Sequence, residues 1–475
     1  MSANAAPLRA TWPRRYGWQA AGLLLAVAAS LGIVIGEGTG AVIVLALLGG
    51  IATFVILLRS GPQAELFFLM FAIELNFFSV EIANGAANIR VGMVATLLLA
   101  AVQFVKAFGG REKPGRVAFL APMVCFSASL FLCTLINASS PYFVRGLASC
   151  SNMVLNLAVY VMLMRRLLVD KELFDRAARF LIDLNVLYAG FCILELCLHA
   201  AGLDPQGRLI DQRQLGEYVL GSQTDQILRP WSLITVTGSF LAAVCVLALA
   251  KALQPGETRR RRLLLSAFVM SIGVILSYAR GPWLGLAFGL MVLAVLSLSS
   301  VRTALLPFLG LTLLSGLAVV SYVIVGKYVP WLQELIEGRI MALMNLTRGT
   351  AGDRISYWTV FIADGLRSPI FGRGVDAYRA FVPHGMPAES FVVEIFHAAG
   401  LLGLGLYAWL HLQLLRYVPA AIRSSRTMRG LGPWCIPFLA GYACLFLALL
   451  TNPGMWGAFY WMFLAFLITM LVSKG

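Results

Sequence analysis

Apolar residues run along this chain in long stretches of about 17 to 25, the length an α-helix needs to cross a hydrocarbon layer. They fall near 17–36, 40–58, 66–82, 91–107, 117–136, 150–165, 178–200, 232–251, 263–279, 281–299, 303–325, 391–415, 431–451 and 455–473. The third is weakest, because of Glu65 and Glu74. Polar stretches between them are short, except for the glycine-rich stretch Lys327 to Ser390. The pattern predicts an all-α, polytopic membrane protein of about fourteen transmembrane helices with one large external loop. Its expected parts are an N-terminal bundle (1–325), the loop (326–390) and C-terminal helices (391–475).

Composition agrees: 60% hydrophobic and 12% charged residues lie outside the soluble range. A net charge of +15 suggests nucleic acid, but the basic residues sit in short runs between apolar segments, where they set topology and form no solvated domain. With the amino terminus inside, most of the 37 lysines and arginines fall on the inner side, including Lys106 to Arg116, Arg165 to Arg179 and Lys251 to Arg262. Both termini are then cytoplasmic and the long loop external. The outer basic residues cluster in that loop and in Gly202 to Trp231, with single ones at Arg90, Arg145 and Arg280. Topology disfavours them there, so a local task is the better explanation. The eight cysteines lie in or beside apolar segments without metal-ligand spacing and read as small buried residues. The first apolar run is longer than a signal core and is followed closely by a second, so a removable signal peptide is not expected.

Within the loop, Trp331, Leu332, Leu335, Ile336, Ile340, Leu343 and Met344 recur at helical spacing, as in a helix lying in the headgroup layer. Asp353 is placed to cap a second helix, with Ile355, Trp358, Phe361 and Ile362 on one apolar face. Ser368-Pro369 ends it, Gly372 and Gly374 permit a turn with exposed backbone amides, and Pro387 suits the first turn of the next span.

Arg280, between two spans joined by almost no loop, has two readings. Its long stem can carry its head to the interface, or its planar fork can hold an anionic group at the membrane surface, in a turn tightened by Gly281 and Pro282. Glu74, Glu195 and Glu394 are expected to face the protein interior. His397 and His411 read as satisfied packing residues. Asp204, Arg208, Asp211 and Arg213 belong to a smaller outer segment that either contacts an acceptor or only covers the site.

Taken in order, Ser277-x-x-Arg280-Gly, Arg354-x-x-x-Trp358, Ser368-Pro-Ile-Phe-Gly372-x-Gly374-x-x-x-Tyr378 and Gly400-Leu-Leu-Gly403 resemble the bacterial O-antigen ligase and Wzy-type polysaccharide polymerase superfamily over roughly residues 260 to 415. The resemblance implies glycosyl transfer at the periplasmic face of the inner membrane, from a donor on undecaprenyl diphosphate, without metal, cofactor or nucleotide sugar. It implies that Arg280 and Arg354 neutralise the diphosphate as the glycosidic bond breaks. Arg373 and Arg379 rank behind them, each with a salt bridge to Asp376 as the competing role; Tyr378 and His384 complete the expected substrate contacts. Implied partners are lipid-linked donor and acceptor glycans, membrane lipid, a chain-length regulator and a flippase, and no nucleic acid.

One position departs from the pattern. Ligases of this superfamily carry His-Asn where this chain has Glu389-Ser390, eleven residues before the first glycine of the Gly-x-x-Gly pair. A carboxylate there is either the base for an attacking sugar hydroxyl or a complement to the following helix. The substitution favours a polymerase over a ligase that uses lipid A core. A lipid-linked glycan transporter is the rival from another class, but no pairing of related halves is visible.

Overall fold

The computed structural model describes residues 50–75, 79–82, 87–108, 117–168, 170–200, 210–214, 226–230, 235–277, 279–297, 350–381, 388–427, 431–451 and 457–473. The spans expected at 17–36 and 303–325, most of that at 40–58, and the surface helix at 331–344 lie outside the described residues. The chain divides into two compact units, Met1–Arg116 and Val117–Gly475.

In the first unit, α1 (Gly50–Arg59) leads to α2 (Pro62–Glu74), β1 (Ser79–Ile82), β2 (Ala87–Arg90) and α3 (Val91–Phe108). Pro62 opens α2 where its missing N–H costs nothing. Lys106 donates to the carbonyls of Leu57 and Ser60, both at 2.9 Å, and to the buried carboxylate of Glu65. One ammonium therefore satisfies the end of α1 and neutralises the acid that weakens the third apolar segment. That segment is not a single helix: it stops at Glu74, and Ser79 pairs with Arg90 in an antiparallel hairpin. The alternation Val80, Glu81, Ile82 and the pair Asn84-Gly85 are hairpin signals that outweigh the apolar run.

The second unit holds α4 (Leu120–Ile136), α5 (Phe143–Leu167), α6 (Lys171–Ala200), the hairpin β3 (Ile210–Gln214) and β4 (Gln226–Pro230), α7 (Thr235–Ala252), α8 (Arg260–Leu276), α9 (Arg280–Leu296), α10 (Thr350–Gly365), α11 (Phe391–Thr427), α12 (Gly432–Leu450) and α13 (Ala458–Val472). Phe143–Leu167, Lys171–Glu195, Phe391–Arg423 and Gly432–Leu450 are each long and apolar enough to cross a membrane, and shorter apolar helices accompany them. The chain is a multi-pass membrane protein whose described spans are all helical. The two short hairpins lie outside those spans, and Asp211 and Arg213 sit in β3 opposite Arg229 and Ile227.

α13 is buried on every side, as a helix apolar all round should be. Its Phe463 and Phe466 pack ring on ring with Phe174 and Phe438 of neighbouring helices, Phe438 and Phe466 stacked at 5.5 Å. Small residues let neighbouring backbones approach. A Cβ on Gly285 would lie 2.7 Å from the Cys444 carbonyl, and one on Gly441 2.9 Å from that of Ala243. Six cysteines are buried and all eight are free, while Cys125 and Cys197 are exposed. Glu74, Glu195 and Glu394 are buried as expected.

Candidate functional site

α10 begins at Thr350, so Asp353 lies within its first turn and does not cap it. Phe361 is fully buried and packs with Tyr357, Trp358 and Tyr378, whereas Ile355 and Ile362 are exposed. The inward face is therefore narrower than the apolar pattern predicts. The indole N–H of Trp358 donates to the Ala388 carbonyl at 2.6 Å, tying α10 to the residue before Glu389. Arg354 occupies the helix four positions earlier.

Glu389 itself has φ 52, the left-handed region that a residue with a Cβ seldom adopts. Such strain persists where the surroundings over-determine it, and it clusters at functional sites. The Glu394 amide then donates to the Ser390 carbonyl at 3.0 Å, and α11 starts at Phe391. Pro387 and His384 lie outside the described residues.

The glycine turn behaves differently from expectation. Gly372 and Gly374 do take left-handed φ values of 66 and 90. Their amides, however, are not exposed. The amide of Gly372 donates to Ser368, that of Arg373 to the His397 carbonyl at 2.7 Å and that of Gly374 to the Ala398 carbonyl at 3.0 Å. These acceptors exist because α11 breaks at Gly400 (φ 59, ψ −153), a conformation essentially reserved for glycine. The amides of Leu401 and Leu402, released by the same break, donate to Pro369 at 2.8 Å and Ile370 at 3.1 Å. A main-chain staple thus locks the turn into the span and satisfies groups a membrane helix cannot leave bare. Each glycine makes room for the other strand of this staple. A Cβ on Gly372 would lie 2.5 Å from Ala398 and Ala399 backbone atoms, and one on Gly400 2.5 Å from the Ile370 carbonyl.

The turn also docks on α4 and α5. Val375 donates its amide to the Thr134 hydroxyl at 3.1 Å, and the Asn137 side chain reaches the Gly372 carbonyl at 3.4 Å. Asp376, again left-handed at φ 62, accepts from the Ser149 hydroxyl and from Arg379 Nε at 3.3 Å. The Arg379 guanidinium lies 5.3 Å over the Tyr378 ring. Burial, then the carboxylates of Asp376 and Glu394, push the Tyr378 phenol above its usual range, so it stays neutral and able to donate. Arg379 thus has the Asp376 partner weighed from sequence. Arg373 does not: its Nε meets Asp364 at 3.3 Å, and His397 Nε2 meets the same carboxylate oxygen at 3.0 Å. His397, buried among rings and hydrogen-bonded to Asp364, fits the satisfied packing residue expected from sequence. His411 fits it too, bonded to the Tyr407 carbonyl at 2.8 Å and the Tyr442 hydroxyl at 2.7 Å.

Arg280 is the first residue of α9, after an extended Ala279. Its level in the bundle follows from packing. Gly285, five residues on, faces Cys444 and Ala448 near the end of α12, while Phe391, two residues past Glu389, packs 5.8 Å from Phe446 of the same helix. The start of α9, Glu389 and the glycine turn therefore lie at one end of the bundle. Of the expected residues, Arg373, Tyr378 and Arg379 fall in one knot. Asp364, Ser149, Thr134 and Asn137, which support that knot, carried no sequence signal: three come from helices more than two hundred positions away.

Such an end, charged and aromatic and closed by a span that breaks to receive the glycine turn, belongs to a multi-pass helical membrane protein. Residues 265–408, from α8 to the first half of α11, match the family described as O-antigen ligase. The match, over less than a third of the chain, bears out the resemblance to the O-antigen ligase and Wzy-type polymerase superfamily and supports a ligase- or polymerase-type function. No curated protein matches the chain.

Proposed function

We propose that this protein is a glycosyltransferase of the bacterial inner membrane that joins undecaprenyl-diphosphate-linked repeats at the periplasmic face into a longer polysaccharide. The observation that carries the reading is Glu389, held in a left-handed turn at the end of the bundle where α9 begins with Arg280. Its carboxylate takes the proton of an acceptor hydroxyl, which attacks the anomeric carbon of the donor. The bond from that carbon to the phosphate oxygen breaks, and undecaprenyl diphosphate leaves. Arg280 and Arg354 meet the charge that gathers on the leaving oxygen, with Arg373 and Arg379 beside the substrate. Tyr378, buried against Phe361, supports the Arg379 guanidinium over its ring, and its contact with substrate is assigned on sequence grounds. His384 is assigned to substrate on sequence grounds. The reaction asks for no metal or cofactor.

The family description favours a second reading, transfer of the finished glycan to lipid A core. Purified full-length protein in vesicles, supplied with lipid-linked repeats, separates them. Elongated lipid-linked glycan supports the polymerase, transfer only to added lipid A core supports the ligase, and movement of repeats across the bilayer without new bonds overturns both.

A further inference from the structure

The mechanism leaves His397 and Asp364, behind Arg373, unused. His397 is 1% exposed, boxed by the rings of Phe361 at 5.2 Å and Phe381 at 5.5 Å, with Tyr378 at 6.4 Å. A histidine so enclosed has one place to direct its Nε2–H, the Asp364 oxygen at 3.0 Å. That oxygen also accepts from Arg373 Nε at 3.3 Å. Exposure rises along the series, from the enclosed imidazole through a carboxylate at 12% to a guanidinium at 40%. The inner member is fixed by packing, the middle one by the inner, and the outer one reaches water. Arg373 is also held by its main chain, because its amide donates to the carbonyl of the same His397. With its backbone stapled, the freedom left to Arg373 is the swing of its side chain, and Asp364 limits that swing. The carboxylate's other oxygen meets Arg367 at 3.4 Å, a residue 74% exposed, so a bond there orders little.

We propose that Asp364, anchored by His397, is a positioning residue that aims the Arg373 guanidinium at the anionic head of the lipid-linked donor. The inference rests on the diphosphate reading above. An arginine recognises phosphate through a planar fork, so its direction matters as much as its charge, and a misplacement of about 1 Å can cost two orders of magnitude. In this role Asp364 acts through Arg373.

The test is a double-mutant cycle on full-length protein in lipid nanodiscs, read by equilibrium binding of undecaprenyl diphosphate. Asp364→Asn keeps size and removes charge, and should weaken binding about tenfold while the thermal midpoint in the same nanodiscs stays near the wild-type value. In an Arg373→Ala background the same change should have almost no further effect. His397→Gln, which keeps an N–H donor, should bind more tightly than His397→Leu. Equal losses from Asp364→Asn with and without Arg373 would overturn the inference, as would unchanged binding by Asp364→Asn alone. A wild-type protein that does not bind undecaprenyl diphosphate would sink the diphosphate reading and this inference with it. Binding without glycan elongation would sink only the transferase reading.

Discussion

The two ends of the second unit hold their charges in opposite ways. Where α12 begins, every partner serves another. Glu257 pairs with Arg179 and Lys251, both at 3.3 Å, the Trp434 indole donates to Asp175 at 2.9 Å, and Lys251 sits 4.8 Å over the Trp434 ring. Burial alone would raise the Glu257 carboxyl, but the Arg259 amide and the two cations outweigh it and hold it below the ordinary 4.5. This is a closed network with no strained residue in it. Where α9 and α11 begin, Asp376 and Glu389 adopt left-handed backbone and a span is broken at Gly400. Left-handed backbone also occurs at the first end, at Phe119 (φ 56), but there it lies outside the ion-pair network, whereas at the second end it falls on the charged residues themselves.

Substitutions sharpen the contrast, and the largest effect is expected at Gly400. Gly400→Ala places a methyl 2.5 Å from the Ile370 carbonyl in a conformation alanine avoids, so folding should lose roughly 3 kcal/mol or more, with product absent. Thermal unfolding in detergent and glycan length in cells report both, and a stable, active Gly400→Ala would refute the staple. Glu389→Gln should cut turnover about a hundredfold or more with donor binding intact. If turnover holds, the carboxylate only complements α11. Arg280→Lys should lower product with insertion unchanged, by about 3 kcal/mol in the transition state, because a point charge does not reproduce the fork. Near-normal chains would remove Arg280 from the site.

At the other end the expected effects are on stability alone. Glu257→Gln should cost about 2 kcal/mol and leave glycan length untouched. A folded-state value below the unfolded one stabilises above the ordinary carboxylate range and loses that contribution as pH falls through the lowered value. The wild-type midpoint should therefore drop in acid more steeply than that of Glu257→Gln. A shortened glycan from this variant would break the division between the ends.

Much of this was legible in the chain because hydrophobic length speaks directly to a bilayer. The positions of α4, α7, α9, α11, α12 and α13 follow the apolar runs, and the tight joint between Leu276 and Arg280 was visible in Leu276-Ser-Tyr-Ala-Arg280. The interruption after Glu74 was weighed only as a weak span, since a helical window does not register a two-residue alternation. Glycine spacing revealed that Gly372 and Gly374 turn, but not what their amides meet, because the acceptors are created by a break twenty-odd residues later in an apolar run. Asp364 hid for a related reason: one acid in an amphipathic helix signals only a solvated face, and its importance arises from its bond to His397 in α11.

The staple between the turn and the broken span is built from main-chain amides and carbonyls, and these read no side-chain identity. Between Pro369 and Arg373, only Gly372 is dictated by the fit; the rest can be exchanged without loosening the joint. The outer face of the turn can therefore be rewritten one residue at a time, while two glycines keep the frame in register.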